Sequence, residues 1–279
     1  MSVADTHRLL DDLTDIASKA GEAIRTVRQR PFDTRQKADR SLVTAADEAA
    51  EALILDSLAR LLPGMPVVSE EAASRGARPK LADDFILVDP LDGTRDFIDG
   101  LDDFTVNIAI ISKRAPVLGV VAAPALETIW RGIVGRVAER LTLSLGAGVT
   151  AARDRIAIST RPAPATGLIA THSRSHLDPA TTAFIERLPN AERVMCGSAL
   201  KFCRVAEGAA DVYPRLAPTS EWDVAAGHAV VAAAGGIVTT AQGEPIIYGG
   251  RENDFRIPAF LVWGDPAAAS RFKIQPGSS

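Results

Sequence analysis

The chain has 279 residues, of which 47% are hydrophobic and 24% charged, and its formal net charge at pH 7 is −4. These values are typical of a folded globular protein, and a chain of this length is expected to divide into two closely packed parts. The negative charge argues against a nucleic-acid polymer as partner, because such binding needs a basic surface.

The amino terminus and the cysteines indicate the compartment. Residues 1–12 lack the apolar core of a signal peptide, and no run reaches the roughly 18 apolar residues of a membrane-spanning helix. Cys196 and Cys203 lie among apolar residues, and a single potential disulfide in so long a chain is weak evidence for secretion. We expect reduced, partly buried thiols and a cytoplasmic protein, with peripheral attachment to the inner membrane left open.

The first half of the chain predicts two helices followed by a strand-rich segment. Apolar residues spaced by three or four predict a helix over about 5–29, and a second helix capped by Thr44 ends before Pro63. Short loops between the strands that follow favour an antiparallel meander. The predicted strands are 67–68, 85–88, 105–111, 116–122, 128–132 and 140–145, and residues 72–84 are predicted to form a surface loop.

After Gly146 the predicted strands and helices alternate, which indicates an α/β arrangement. The predicted strands lie near 156, 168–171, 194 and 211–214, and the predicted helices cover about 179–188, 198–207 and 223–234. The sequence therefore predicts an α/β protein with one part at 1–150 and another at 151–279, and with a boundary near 146–155.

Two groups of acidic residues follow predicted strands. Glu70 and Glu71 end an apolar stretch, and the string Asp-Pro-Leu-Asp-Gly-Thr at 89–94 follows another. Carboxylates gathered this closely repel one another unless a cation that prefers hard oxygen ligands lies among them. Gly93 permits close approach of the backbone, and a helix that begins at Thr94 offers free amides to an anion. The two groups together predict metal ligands beside a phosphate site.

Structural roles are alternatives for several of these acids. Asp47 lies three residues after Thr44 and fits a capping box, and Asp223 fits a favourable charge in the first turn of a helix. Adjacent side chains on a strand point to opposite faces, so Glu70 and Glu71 are not expected to face one metal ion together. Glu70 is the preferred ligand, and Glu71 is left as a supporting or solvent-facing residue.

The string at 89–94 and the later Trp222-Asp223 resemble the hallmarks of the inositol monophosphatase superfamily of magnesium-dependent, lithium-sensitive phosphatases. The resemblance spans roughly residues 5–265. Shorter strings at 105–109, 173–176, 197–203 and 213–215 make the chain similar to CysQ-type 3′(2′),5′-bisphosphate nucleotidases. This resemblance implies a layered α-β-α-β-α sugar-phosphatase fold, two or three Mg²⁺ ions, a monomer or homodimer, and hydrolysis of adenosine 3′,5′-bisphosphate to AMP and phosphate in sulfate assimilation.

The resemblance also implies roles for individual residues. The implied metal ligands are Glu70, Asp89, the Leu91 carbonyl, Asp92 and Asp223, with Asp89 bridging two ions, and the implied catalytic residues are Asp47, Thr94 and Glu70. Thr94 is expected to bind the attacking water and pass its own hydroxyl proton toward Asp47. The implied substrate-binding residues are Leu91, Asp92, Gly93, Thr94, His176, Ser198, Lys201, Arg215 and Asp223.

Two other functions are left open by the sequence. An inositol or sugar monophosphatase shares the metal and phosphate motifs, and only the residues that recognise the leaving group distinguish it from a nucleotidase. A catalytically inactive protein that binds nucleotide phosphates is the alternative of another class. Loss of catalysis usually accompanies missing ligands, whereas here every implied ligand is present.

Overall fold

The structure is a computed structural model that describes residues 3–37, 42–174, 177–250, 252 and 254–272. The α-helices in these ranges are α1 Val3–Arg28, α2 Ala45–Leu61, α3 Glu70–Ser74, α4 Thr94–Ile98, α5 Pro179–Glu186, α6 Leu200–Ala206, α7 Glu221–Ala233 and α8 Pro266–Arg271. The strands are β1 Thr34–Gln36, β2 Leu42–Thr44, β3 Val67–Ser69, β4 Asp84–Asp92, β5 Thr105–Ser112, β6 Ala115–Ala123, β7 Thr128–Ile133, β8 Val137–Thr142, β9 Asp154–Ala157, β10 Ile169–Ser173, β11 Glu192–Cys196, β12 Val212–Arg215, β13 Thr219–Ser220, β14 Ile237–Thr240, β15 Arg256–Ile257 and β16 Phe260–Trp263.

Two large sheets organise the chain. The first has the order β3-β4-β5-β6-β7-β8-β9, and its strands from β4 to β9 form the antiparallel meander that the short loops predict. The second has the order β11-β10-β12-β16-β14, with β10 parallel to both of its neighbours. Among the described residues, none of the helices is both long and apolar enough to cross a membrane.

The helices separate and cover the two sheets. Helices α1 and α2 pack on one face of the first sheet, α6 and α7 lie between the sheets, and α5 and α8 cover the outer face of the second. Side chains alternate along the strands of the second sheet, so Val212 enters the outer core while Tyr213 enters the central one. The resulting α-β-α-β-α order confirms the predicted layered α/β fold.

Helix α7 lies very close to the first sheet because glycines face it. A Cβ atom at Gly119 of β6 would lie only 2.4 Å from the carbonyl oxygen of Ala226. A Cβ atom at Gly132 of β7 would lie 2.6 Å from Cβ of Ala233. The close contact fixes α7, and with it Asp223 in its first turn, relative to the sheet that carries the other acidic residues.

Some short elements differ from the predictions. Residues 70–74 form helix α3, so the part of the predicted 72–84 loop that precedes Arg75 is helical. The hairpin of β1 and β2 was not predicted, because three-residue strands are too short to show a hydrophobic period. Strand β9 pairs with β8 and carries the first sheet past residue 150, and the division near 146–155 stays a prediction.

The glycine contact beneath α7 predicts a packing defect. Gly119→Ala is expected to lower the free energy of unfolding by about 1–3 kcal/mol, because the added methyl group overlaps the helix backbone. Val117→Ala on the same strand is the control, since Val117 is 37% exposed. Urea unfolding of both variants tests this, and equal stabilities would show that α7 moves away without cost.

Candidate active site

A cavity of about 430 Å³ lies where the end of β4 meets the first turns of α6 and α7. All of the predicted site residues line this cavity except Asp47 and His176. Asp47 is buried behind Thr94, with which it shares a hydrogen bond. His176 falls outside the described residues. The structure therefore brings together side chains that the sequence separates by more than 150 positions.

Three carboxylates converge at one side of the cavity. Single oxygen atoms of Glu70, Asp89 and Asp223 all lie within 4.8 Å of one another. Strand β3 runs parallel to β4 with Ser69 beside Val88, so the residues that follow this pair, Glu70 and Asp89, are neighbours. Asp223 reaches the same point from the first turn of α7.

Asp92 is the fourth carboxylate of the acidic group, which we define as Glu70, Asp89, Asp92 and Asp223. It follows an irregularity in β4. The pairing of β4 with β5 shifts between Asp89 and Asp92, which turns the strand at Pro90. The charge of Asp92 raises the pKa of Asp89, and the charge of Asp223 raises the pKa of Asp92. Asp92 therefore belongs to the same electrostatic group as the three converging carboxylates.

The protein alone does not compensate these charges fully. Desolvation, reinforced by neighbouring carboxylates, raises the pKa of Glu70 to about 8, and desolvation raises that of Asp92 to about 7. The pKa of Asp89, which is buried, is raised well above its usual value by the same causes. A group of hard oxygen donors that resists ionisation until a cation arrives fits a divalent ion such as Mg²⁺.

Lys37 supplies part of the missing positive charge. Its Nζ lies 2.7 Å from Oε1 of Glu70 and 2.5 Å from Oε1 of Glu71, and its side chain is 7% exposed. These two carboxylates raise its pKa, although burial acts in the opposite direction. Sequence reasoning missed Lys37, because it lies in a polar stretch with no periodic pattern.

The argument that separated Glu71 from Glu70 is wrong, because it assumed that both residues lie on a strand. Both residues begin α3, where adjacent side chains diverge by less than they do on a strand. Glu71 is buried, and the solvent-facing alternative is therefore also wrong. Glu71 shares Lys37 with Glu70, and this contact makes it a supporting residue.

Asp47 caps helix α2 and also contacts Thr94, which lines the cavity. Its Oδ2 accepts hydrogen bonds from the backbone N–H of Thr44 at 2.8 Å and from the Thr44 hydroxyl at 2.7 Å, which completes a capping box for α2. Its Oδ1 accepts a hydrogen bond from the Thr94 hydroxyl at 3.1 Å. Burial raises the pKa of Asp47, and these hydrogen bonds oppose the rise. Oδ2 of Asp47 therefore caps α2, while Oδ1 contacts the Thr94 hydroxyl.

Asp223 likewise combines a helix cap with a place in the cavity. Its Oδ2 accepts a hydrogen bond from the Ser220 N–H at 3.0 Å and another from the Thr219 hydroxyl. Thr219 also lines the cavity and was not predicted. A Thr-Ser pair directly before a helix is a capping signal that would have drawn attention to it.

The part of the cavity wall that α6 and β12 supply carries cations. Lys201 is buried, and its Nζ donates to the carbonyl oxygen of Ser198 at 2.5 Å and to that of Cys196 at 3.4 Å. Arg215 donates from Nε to the carbonyl oxygen of Ala217 at 3.3 Å. The helix predicted over about 198–207 begins only at Leu200, so Ser198 and Lys201 do not share a helix face. The two residues meet through the Ser198 carbonyl instead.

Aromatic rings form the apolar wall beside these cations. The centroid of the Phe202 ring lies 5.1 Å from that of Tyr213 and 5.8 Å from that of Phe260. Nζ of Lys201 lies 5.3 Å from the centroid of Tyr213. Phe202 and Phe260 were not predicted as site residues, since each looks like an ordinary core residue in the sequence.

Comparison with known proteins agrees with this geometry. The model of the inositol monophosphatase family matches residues 5–271. The chain belongs to this family. Within the family it is 41% identical over 256 residues to the 3′(2′),5′-bisphosphate nucleotidase CysQ of Escherichia coli strain K12. This alignment covers 91% of this chain and 99% of that protein. It is also 32% identical to the CysQ of Buchnera aphidicola, over 87% of this chain and 88% of that protein.

Solved structures of family members confirm the fold. The crystal structure of CysQ from Bacteroides thetaiotaomicron aligns with a TM-score of 0.73 and 37% identity, and it covers 89% of this chain and 94% of that one. The Thermotoga maritima inositol monophosphatase aligns with a TM-score of 0.76 at 24% identity. At that identity the second match shows the fold alone.

The raised pKa values of the acidic group predict how stability depends on pH and metal. An acid whose pKa is raised on folding contributes stability that is present below its unfolded pKa and is lost as the pH rises through its folded pKa. With folded pKa values of about 8 for Glu70 and about 7 for Asp92, against usual values of 4.5 and 3.8, the loss begins at about pH 4 and is complete at about pH 8. The melting temperature in EDTA is expected to fall over this interval, whereas Mg²⁺ removes most of the fall.

The stabilisation by Mg²⁺ is accordingly expected to be larger at pH 8.5 than at pH 6.5. Differential scanning calorimetry with EDTA or Mg²⁺ at the two pH values measures it, and Ca²⁺ at the same ionic strength is a comparison cation. A melting temperature in EDTA that does not fall would contradict the raised pKa values.

Proposed function

We propose that the chain is a Mg²⁺-dependent 3′(2′),5′-bisphosphate nucleotidase that converts adenosine 3′,5′-bisphosphate to AMP and phosphate. The observation that carries the proposal is one cavity lined both by the acidic group and by Lys201, Arg215 and aromatic rings. A nucleoside whose ribose carries two phosphates, on the 3′ and 5′ oxygens, matches this combination of metal ligands, cations and rings. The nucleotidase names of the relatives at 41% and 32% identity support the same substrate.

Glu70, Asp89, Asp92, Asp223 and the carbonyl oxygen of Leu91 would hold two or three Mg²⁺ ions. Their donor set fits, because it consists of hard oxygen atoms whose charges the protein leaves uncompensated. When bound, Mg²⁺ supplies positive charge to the phosphate oxygens and lowers the pKa of water. Until Mg²⁺ binds, the ion pair with Lys37 would neutralise part of the charge of the Glu70 carboxylate.

Thr94 and Asp47 would move the proton of the attacking water. A Thr hydroxyl is too weak a base near neutral pH, but it can accept the water proton while it donates its own proton to Oδ1 of Asp47. The raised pKa of Asp47 makes this carboxylate a better acceptor. Asp223 would then orient a second water that protonates the departing ribose oxygen.

The remaining contacts would hold the substrate. Gly93 has a φ of +92° and precedes α4, so the N–H groups of Gly93 and Thr94 are available to the phosphate oxygens. Ser198, Lys201 and Arg215 would contact the second phosphate or the ribose. His176 would lie near the adenine, a role that stays a prediction.

The cellular setting follows from weaker observations. Cys196 and Cys203 are buried free thiols, which fits a reducing cytoplasm. We infer a cytoplasmic enzyme that acts as a monomer or a homodimer, and peripheral contact with the inner membrane stays a prediction.

The substrate is tested by phosphate release from a panel of nucleotide and polyol phosphates. With Mg²⁺ present, kcat/KM for adenosine 3′,5′-bisphosphate is expected to exceed that for inositol 1-phosphate at least about tenfold, because only the nucleotide uses Lys201 and Arg215. Activity is expected to disappear in EDTA and to return with Mg²⁺. Clear preference for inositol 1-phosphate would instead identify a polyol monophosphatase.

The proton path is tested at Thr94. Thr94→Ala is expected to lower kcat by roughly 10²–10⁴-fold with little change in KM, because it removes the hydroxyl between water and Asp47. Thr94→Ser keeps the hydroxyl and is expected to retain most of the activity. Equal losses in both variants, or phosphate trapped covalently on the protein during turnover, would contradict this path.

A further inference from the structure

Asp103 joins two parts of the chain that meet at the mouth of the cavity. It lies between α4 and β5, and its Oδ2 accepts a hydrogen bond from the backbone N–H of Gly197 at 3.0 Å. The same oxygen accepts a hydrogen bond from Nη2 of Arg174 at 2.7 Å. Gly197 lies between β11 and α6, so Asp103 connects the meander to the second sheet.

The backbone packing around Asp103 is close on both sides. A Cβ atom at Gly197 would lie 2.4 Å from Oδ2 of Asp96 and 2.5 Å from Cβ of Asp103. A Cβ atom at Gly93 would lie 3.0 Å from the carbonyl oxygen of Asp103. Asp103 therefore contacts both the phosphate turn, defined as residues 91–94, and the Ser198 turn, defined as residues 196–199.

The Ser198 turn has a conformation that its own sequence does not favour. Ser198 has a φ of +41°, which costs energy for any residue with a Cβ atom and persists only where the surroundings fix it. Its hydroxyl is buried against the cavity and has no hydrogen-bond partner among the described residues. Nζ of Lys201 donates a hydrogen bond to the Ser198 carbonyl oxygen. Oδ2 of Asp103 accepts one from the backbone N–H of Gly197, the residue before Ser198.

We propose that Asp103 is a positioning residue for nucleotide selection, which fixes the Ser198 turn relative to the phosphate turn and so keeps Gly197 and Ser198 in place along the cavity wall. The proposal rests on the nucleotidase function and assigns Asp103 no part in the chemical step. The hydrogen bond from Gly197 is the main contact, because it joins a carboxylate to a backbone N–H. The ion pair with Arg174 contributes less, since that side chain is 34% exposed.

Steady-state kinetics with adenosine 3′,5′-bisphosphate tests the proposal in three variants. Asp103→Ala removes both contacts and is expected to raise KM about tenfold, with kcat and the Mg²⁺ concentration for half-maximal rate unchanged within twofold. Asp103→Asn keeps an oxygen acceptor for Gly197 and is expected to raise KM only about threefold. Asp102→Asn is the control, because Asp102 is 61% exposed and pairs with Arg28 away from the cavity.

The outcomes separate the proposal from its alternatives. An unchanged KM in Asp103→Ala, equal KM values for the Ala and Asn variants, or a parallel loss of kcat and Mg²⁺ dependence would overturn it. If Asp103→Ala does not fold, the KM of Asp103→Asn tests the proposal alone: a threefold rise supports it, and an unchanged KM overturns it. A wild-type enzyme that prefers inositol 1-phosphate would refute the nucleotidase function itself, whereas a wild-type preference for the nucleotide with no effect at Asp103 would refute only this inference.

Discussion

Repulsion among desolvated carboxylates is the constraint on which the site depends. Glu70, Asp89, Asp92 and Asp223 come from three elements, α3, β4 and α7. Desolvation raises the pKa of the first three, and the charges of the neighbouring carboxylates raise it further. A fold can hold such a group only if other interactions position each member independently. The cap of α7 does so for Asp223, and the pairing of β3 with β4 does so for Glu70 and Asp89.

The layered fold brings the carboxylates into the same cavity as cationic and aromatic side chains. The first sheet supplies Asp89, Asp92 and the start of the phosphate turn, and helices α3 and α7 add Glu70 and Asp223. Helix α6 and the second sheet supply Lys201, Arg215 and Tyr213. Helix α7 lies between the sheets and is fixed by contact with Gly119 and the neighbouring strands. The distance between a phosphate at the acidic group and a second group at Lys201 and Arg215 is therefore set by packed elements.

Much of the fold and the acidic group could be predicted, because both leave local patterns. The two long amphipathic helices, the meander and the Asp89–Thr94 string each follow from spacing or turn chemistry within a few residues. Lys37 and Asp103 could not be found in this way, since their importance arises from contacts with residues 33 and 94 positions away. Glu71 was misjudged because the strand was assumed to continue two residues beyond Ser69.

The central claim is that a divalent cation compensates the acidic group. Crystals grown with Mn²⁺ in place of Mg²⁺ test it through anomalous diffraction, which locates each ion directly. The account predicts two or three anomalous peaks among the oxygen atoms of Glu70, Asp89, Asp92, Asp223 and the Leu91 carbonyl. No peak there at saturating Mn²⁺, or peaks only elsewhere on the protein, would contradict it.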